Sequence, residues 1–279
     1  MTTTPPGLDM QALRAIAARR RGAGTYRHLL DRIAEHLDTH DGFVSWSGGK
    51  DSTVVVDLAR QVDPNVPVVF FDSGLQYPET LQYLQDLSEA WRLNFTVIPA
   101  EPDLLTVMVA IGGFDHQAPD RLLGADLSEL MITDLAAQAH QRHGRGSLWG
   151  VRAEESSGRR ALYRQQLAAQ TRAQHQHSRE QVRAASGGVI RRKDGTVTYG
   201  PIWDWRRTHV FEYLAGRGIS PNPLYAKLAE LGVPNQQIRV DSIIDASKLD
   251  NGHIAFLQAG WPDLFDRLVT ALPRLREWT

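Results

Sequence analysis

Six consecutive residues, Ser47 to Ser52, have the composition of a loop that binds an anion. They read Ser-Gly-Gly-Lys-Asp-Ser and stand between a short apolar run, typical of a buried strand, and a segment with helical spacing. Gly48 and Gly49 let the backbone approach an anion closely, and the N–H groups at the start of the helix supply positive potential. Lys50 adds a formal charge. The sequence therefore predicts that this loop binds a phosphate-like group.

The other side chains of the loop extend this chemistry. Ser47 and Ser52 offer hydroxyl groups, and Asp51 can hold a Mg²⁺ ion that bridges phosphates. The chain has Val44 and Asp51 where a Walker A loop requires a glycine and a serine or threonine, and it lacks the G-x-G-x-x-G fingerprint of dinucleotide-binding proteins. An ordinary Gly-Gly turn without a ligand is the competing interpretation, and six matching residues at a strand-to-helix junction disfavour it.

The composition fits a globular chain with no sulfur chemistry of its own. The 279 residues are 42% apolar and 23% charged with a net charge of −1, which excludes global disorder and disfavours a uniformly basic nucleic-acid binder. The absence of cysteine excludes disulfides, iron–sulfur clusters, zinc sites with thiolate ligands and catalysis by a cysteine of this chain. No apolar run is long enough for a membrane span, and residues 1–7 lack a signal core, so we expect a cytoplasmic protein.

Apolar runs alternate with helical patterns along the chain, which predicts a parallel sheet with helices on both faces. The predicted strands are 42–47, 67–72, 94–99 and 147–151. A hairpin is also predicted around residues 193–195, which read Lys-Asp-Gly. The predicted division of the chain is an N-terminal helical segment (1–40), an α/β domain (41–232) and a helical C-terminal extension (233–279).

A basic segment lies in the second half of the chain. Residues 152–207 hold 12 Lys and Arg against 5 Asp and Glu, an excess of +7, so the remainder sums to −8. Little apolar surface is available over 163–185, and we expect 152–200 to be mobile until a ligand binds. The charge predicts a surface for phosphate or for nucleic acid.

Four segments together resemble one family. The loop resembles the PP-loop of the ATP pyrophosphatases, the adenine-nucleotide α-hydrolase-like superfamily. Three further segments are similar to signatures of its phosphoadenosine-phosphosulfate (PAPS) reductase-like branch: FFDSG with YPET (70–80), GVRAEESSGRR (150–160), and PIWDW with NPLY (201–225). Ser73 stands where the first of these signatures has threonine. The resemblance covers roughly residues 40 to 232.

The resemblance implies a fold and a set of site residues. The implied fold is a Rossmann-like, doubly wound parallel sheet of five strands with a helical or irregular C-terminal extension. The implied ligands are ATP, bound by the loop, and Mg²⁺, bound by Asp51. The nucleotide-binding residues would be Ser47, Gly48, Gly49, Lys50, Asp51 and Ser52, with Asp72, Ser73 and Gly74 beside the adenosine, and Arg159 and Arg160 over the phosphate or the acceptor. The catalytic residues would be Lys50, Asp51 and Arg152.

The sequence leaves three hypotheses about function. The leading hypothesis is cleavage of ATP between its α and β phosphates to adenylylate an acceptor, because the loop retains both Lys50 and Asp51. The acceptor would be sulfate, which requires a GTPase-like partner subunit, or a nucleic acid or metabolite. The second hypothesis is a sulfonucleotide reductase or transferase, acting on PAPS or its dephospho analogue APS, that uses the thiol of a partner protein. The third is a nucleotide-sensing subunit without catalysis. The apolar residues of the C-terminal helices would pack either in the core or on a homodimer surface.

Overall fold

Six strands form one sheet in the computed structural model, which describes residues 10–20, 26–113, 129–174, 176–234, 237–240 and 253–279. The strand order is β3-β2-β1-β4-β6-β5. The strands are β1 (Phe43–Ser45), β2 (Pro67–Asp72), β3 (Asn94–Pro99), β4 (Gly146–Trp149), β5 (Val189–Arg191) and β6 (Val197–Tyr199). The central strands are buried on both faces, as parallel strands covered by helices must be.

The predicted Rossmann-like α/β fold is confirmed, but the predicted number of strands is wrong. The strands β3, β2, β1, β4 and β6 run parallel to one another, whereas β5 runs antiparallel to β6. The turn between β5 and β6 contains Gly195 at a φ of 86°, a left-handed conformation that favours glycine. This turn folds the chain back at the edge of the sheet. The fold implied by the resemblance has five parallel strands, and the hairpin at 193–195 adds β5 as a sixth, antiparallel strand.

Helices cover both faces of the sheet. They are α1 (Met10–Arg20), α2 (Arg27–His40), α3 (Lys50–Val62), α4 (Pro78–Trp91), α5 (Leu104–Ala110), α6 (Asp134–His143), α7 (Ser157–Ala173), α8 (Arg179–Ser186), α9 (Arg207–Arg217), α10 (Leu224–Glu230), α11 (His253–Gly260) and α12 (Pro262–Ala271). A π-helical turn, Glu129–Thr133, leads into α6, and a 3-10 helix, Pro273–Trp278, follows α12. Apolar residues of α2, α3 and α9 fill one face, and α6 packs Leu135 and Ala139 against the other.

A second apolar core joins the C-terminal helices to the loop that follows β2. It contains Leu228, Leu257 and Leu268 together with Leu75 and Tyr77. The C-terminal extension therefore packs against the same sheet edge as the loop after β2. The predicted domain boundaries, including the one at 232, stay predictions.

The helix α3 is fixed by a buried carboxylate as well as by apolar packing. Asp57 is fully buried, and its Oδ2 accepts hydrogen bonds from Tyr213 Oη at 2.7 Å and from Arg217 Nε at 2.8 Å. Its Oδ1 accepts from Arg60 Nε at 2.9 Å. Because Tyr213 and Arg217 belong to α9, these bonds tie α3 to α9 and hold the helix that follows the loop.

Among the residues that the structure describes, no helix has the length and apolar content needed to span a membrane. The cytoplasmic location stays a prediction.

Candidate functional site

The sheet order reverses between β1 and β4. The chain passes from β1 to β2 on one side of β1 and later places β4 on its other side. Ligands of open α/β sheets bind outside the carboxyl ends of the strands at such a reversal. The loop 47–52 follows β1 and Arg152 follows β4, so the fold brings both to the crevice where a ligand is expected.

The loop is closed by its own hydrogen bonds. The backbone N–H of Ser47 donates to Ser52 Oγ at 3.3 Å, and Ser52 Oγ donates to the carbonyl of Gly49 at 3.1 Å. Gly48 has a φ of 72°, a left-handed conformation that favours glycine. The helix α3 begins at Lys50, so the positive end of a 13-residue helix points at the loop. This geometry suits an anion that contacts the backbone.

Asp51 is held between two cations. Its Oδ2 accepts from Lys50 Nζ at 2.6 Å, and its Oδ1 accepts from Arg152 Nε at 2.6 Å. Asp51 and Arg152 are only 7% and 4% exposed. The structure thus brings together the three residues predicted as catalytic, but it joins them in one ion cluster, so they are not three separate groups facing a ligand.

The cluster extends from Arg152 to two glutamates. Arg152 Nη1 donates to Glu154 Oε2 at 2.6 Å, and the backbone N–H of Arg152 donates to Glu155 Oε2 at 3.0 Å. Glu155 also pairs with Arg159, which is half-exposed, and Arg160 lies exposed on the same turn of α7. Three cations therefore pair with three carboxylates in this cluster: Lys50, Arg152 and Arg159 with Asp51, Glu154 and Glu155.

The cationic forms of Lys50 and Arg152 are stabilised by their contacts within the cluster. Burial opposes the charge of Lys50, but Tyr225 and Asp51 outweigh burial and raise the pKa of Lys50 above its usual value. Burial likewise opposes the charge of Arg152, and Asp51 with the two glutamates raises its pKa. Both side chains therefore stay cationic at neutral pH, and an incoming anion meets fixed positive charges that already have partners.

The segment predicted to lie beside the adenosine forms a turn after β2, the strand next to β1. Asp72 Oδ1 accepts from the backbone N–H of Gly74 at 2.8 Å, and Ser73 Oγ accepts from Gln76 Nε2 at 3.2 Å. Gly74 has a φ of 80°, and a Cβ atom there would lie 2.9 Å from Asp103. The structure places this turn at the same edge of the sheet as the loop.

Three side chains that hold the loop were not among the predicted site residues. Tyr225 Oη accepts from the backbone N–H of Lys50 at 3.1 Å, and Asn222 Nδ2 donates to a carbonyl of the loop and to Thr80 Oγ1. Thr80 in turn donates to the carbonyl of Val240 at 2.8 Å. Asn222, Tyr225 and Thr80 lie in the YPET and NPLY segments, so the motifs themselves were the available signal. Nothing in the sequence indicates Val240, whose position depends on the C-terminal packing.

The predicted Mg²⁺ ligand does not offer a free carboxylate. Both oxygens of Asp51 accept hydrogen bonds from cationic side chains. Within the described residues no group of three histidine, aspartate or glutamate side chains could hold a metal ion. Both carboxylate oxygens of Asp51 are thus engaged by cations, and Mg²⁺ binding at Asp51 stays an untested prediction.

These features define a doubly wound α/β protein with the loop 47–52 at its switch point. The chain belongs to the phosphoadenosine phosphosulfate reductase domain family, whose sequence model matches residues 42–233. The match includes the loop, Arg152 and the NPLY segment, so the resemblance stated from the sequence is confirmed.

Curated relatives cover most of the chain. The phosphoadenosine 5′-phosphosulfate reductase of Yersinia pseudotuberculosis (strain IP 31758) is 27% identical over 211 residues, which are 72% of this chain and 74% of that protein. The protein of the same name from Thiocapsa roseopersicina is 25% identical over 68% of both chains. A crystal structure of PAPS reductase from Candida auris, in complex with phosphate, aligns at 15% identity with a TM-score of 0.47 and covers 72% of this chain and 85% of its own.

These relatives overturn the prediction of adenylyl transfer. Their names specify the reduction of a sulfonucleotide, and none of those described above is an adenylyltransferase. The prediction treated Lys50 and Asp51 as two groups that hold the β and γ phosphates of ATP with Mg²⁺. In the structure these two side chains pair with each other.

The remaining ligand and partner predictions stay predictions. They are ATP as the nucleotide, a GTPase-like or thiol-bearing partner subunit, a homodimer, and nucleic-acid binding by 152–207. Within residues 152–207, the helices α7 and α8 and the strands β5 and β6 account for much of the chain. Several of its arginines are already paired with carboxylates of the same segment, such as Arg183 with Asp204 at 2.8 Å.

A close backbone contact between β4 and α3 leads to a first prediction. A Cβ atom on Gly150 would lie within 3.0 Å of the backbone of Ser52 and Asp51. We expect Gly150→Ala to lower the free energy of unfolding by roughly 2 kcal/mol or more, since backbone atoms must separate to admit the methyl group. Urea denaturation measures this change.

Gly158→Ala is the matched control for this substitution. Gly158 lies in the first turn of α7, and a Cβ atom there would be 4.0 Å from its nearest neighbour, Ser156 Oγ. The control should be neutral or stabilising by up to about 1 kcal/mol, because alanine is the better helix former. Equal stability of the two variants would show that β4 and α3 do not pack as closely as described.

Proposed function

We propose that this chain binds a sulfonucleotide, PAPS or its dephospho analogue APS, at the loop 47–52. It then promotes transfer of the sulfonyl group to a thiol of a partner protein. The observation that carries this proposal is the family match, which spans the loop and the arginine segment after β4. Relatives named phosphoadenosine 5′-phosphosulfate reductase support the choice of substrate.

None of the 279 residues supplies the thiol, because they contain no cysteine. We propose that a partner protein supplies it. A thiolate of the partner attacks the sulfur of the sulfonyl group, a sulfur–sulfur bond forms, and the sulfur–oxygen bond to the 5′-phosphate breaks. The nucleotide leaves with that electron pair. A second thiol of the partner then attacks the thiosulfonate, which yields a disulfide and releases sulfite. The partner dithiol supplies both electrons.

The chain contributes binding and charge to this reaction. Negative charge develops on the 5′-phosphate oxygen as the sulfur–oxygen bond breaks. The N-terminus of α3 and Lys50 would stabilise it. Arg152 acts by holding Asp51, which in turn fixes the ammonium of Lys50 at the loop. Arg159 and Arg160, on the first turn of α7, would contact the outer phosphate or the sulfonyl group.

The direct test is sulfite release. Purified protein, given PAPS and reduced thioredoxin, should release sulfite and adenosine 3′,5′-bisphosphate in equal amounts. Lys50→Ala should slow the reaction by at least about 100-fold, as the loss of a charged group at an oxyanion does. Lys193→Ala, which removes an exposed lysine of the hairpin, is the control and should leave the rate unchanged.

Failure to release sulfite with thioredoxin, glutaredoxin and dithiothreitol alike would contradict the proposed reaction. Equal rates for Lys50→Ala and the wild type would contradict the role of the loop while leaving the reaction itself intact.

The balanced ion cluster leads to a prediction about affinity. Glu155 forms an ion pair with Arg159 and accepts a hydrogen bond from the backbone N–H of Arg152. A bound phosphate must therefore compete with the carboxylate of Glu155 for these two donors. We expect Glu155→Gln to tighten the binding of adenosine 3′,5′-bisphosphate by about threefold, a modest gain because Arg159 is half-exposed. Isothermal titration calorimetry at fixed ionic strength measures it.

Glu180→Gln is the control for the same change of charge on an exposed residue at the start of α8. It should leave the affinity unaltered. Weaker binding by Glu155→Gln would mean that Glu155 orients the arginines for the ligand and does not compete with it.

A further inference from the structure

The helix α7 begins beside the ion cluster and leads away from it. Ser156 caps the helix by accepting a hydrogen bond from the backbone N–H of Arg159 at 3.1 Å, and Arg159 pairs with Glu155. Glu155 in turn accepts from the backbone N–H of Arg152, which borders the crevice. The 17 residues of α7 span about 25 Å. A protein that reaches the crevice over this border therefore contacts α7.

One side of α7 is exposed along the whole helix. Of its residues, all of which the structure describes, Tyr163 and Leu167 are buried, and the ring of Tyr163 packs against Trp203 with 5.3 Å between the ring centroids. At 100° per residue, the side of the helix opposite Tyr163 and Leu167 carries exposed residues. We call these residues the outer face of α7: Leu162, Arg164, Gln165, Ala168 and Arg172.

The composition of α7 is unlike that of a helix that only faces water. It contains four arginines and no lysine, aspartate or glutamate, in a chain whose net charge is −1. Protein interfaces are enriched in arginine and depleted in lysine, glutamate and aspartate. Arg160 and Arg164 are four residues apart, and like charges at this spacing destabilise a helix. The stability of the fold therefore does not account for this charge, whereas binding of an acidic partner does.

The charges of the outer face are available to a partner. Ion pairs hold Arg159 and Arg183, but neither Arg164 nor Arg172 has an ion pair among the residues that the structure describes. A second copy of this chain that presented the same face across a two-fold axis would meet it with the same charge. Leu162 is 41% exposed and offers apolar contact, which favours a protein over a nucleic-acid backbone.

We propose that the outer face of α7 docks the acidic protein that supplies the thiol. This inference rests on the proposed function. Because the sulfur–sulfur bond forms on the partner's own thiol, the partner enters the crevice and covers the helix that borders it. Arg164 and Arg172 pair with carboxylates of the partner, and Leu162 packs against it. The contact is small, as in other redox encounters, which bury less than about 1,200 Å² in total.

The test measures binding without turnover. A labelled, reduced thioredoxin of acidic net charge is titrated with the full chain at low ionic strength, and its fluorescence anisotropy is followed. The double variant Arg164→Glu, Arg172→Glu should bind at least about tenfold more weakly, because each substitution replaces attraction with repulsion. Both residues are exposed, so the fold should be retained.

The matched control makes the same change of net charge elsewhere. Arg14 is exposed on α1 and Arg276 is exposed on the 3-10 helix. The double variant Arg14→Glu, Arg276→Glu should bind thioredoxin within about twofold of the wild type, since distant surface charges are screened. No binding of thioredoxin to the wild type, equal affinity of the Arg164→Glu, Arg172→Glu variant, or an equal loss in the control would each overturn the proposal.

Two further measurements separate this proposal from its alternatives. Tighter binding of a short RNA than of thioredoxin, lost in the Arg164→Glu, Arg172→Glu variant, would assign the outer face to nucleic acid and overturn the proposal. With dithiothreitol, a small thiol that needs no docking surface, the same variant should release sulfite at the wild-type rate. No sulfite release from the wild type with any thiol would contradict the proposed reaction, whereas the anisotropy titration reports docking independently of turnover.

Discussion

The ion pair between Asp51 and Arg152 joins the two strands that border the ligand crevice. Asp51 opens the helix after β1, and Arg152 follows β4, so one contact fixes the loop and the arginine segment relative to each other. Both side chains are buried, and removal of one partner of a buried pair typically costs about 3–5 kcal/mol. Gly150 permits this contact, because only a residue without a side chain lets β4 approach α3 so closely.

The same ion pair also limits how much the cations of the site can contribute to ligand binding. Lys50 and Arg152 keep their charge, yet each already has a carboxylate partner. A ligand therefore gains from these cations only where it adds to the existing contacts or displaces a glutamate. Tyr225 and Asn222 hold the backbone of the loop from the other side, and through Thr80 the C-terminal segment at Val240 is tied to the same place. The loop is thus a prearranged surface, which limits the reorganisation that binding requires.

Much of the fold was predictable because local patterns fix it. The strands β2 and β3 lie at their predicted bounds, since their apolar runs end at turn residues. Pro78 occupies the first position of the following helix α4, where proline is favoured. The pairing of Asp51 with Arg152 joins residues 101 positions apart, and no local pattern reports it. The structure engages one carboxylate oxygen of Asp51 with Lys50 and the other with Arg152, and only the first of these contacts is local in the sequence. The predicted activity was wrong because of what the names of the relatives show, which the loop residues alone do not indicate.

The affinity of the wild-type protein for PAPS and for Mg·ATP tests the central claim most directly. Both ligands are titrated into the same preparation at the same ionic strength, so that screening affects them alike. The account predicts saturable binding of PAPS and at least about tenfold weaker binding of Mg·ATP, a difference of about 1.4 kcal/mol. Tighter binding of Mg·ATP than of PAPS, lost when Mg²⁺ is removed, would contradict it.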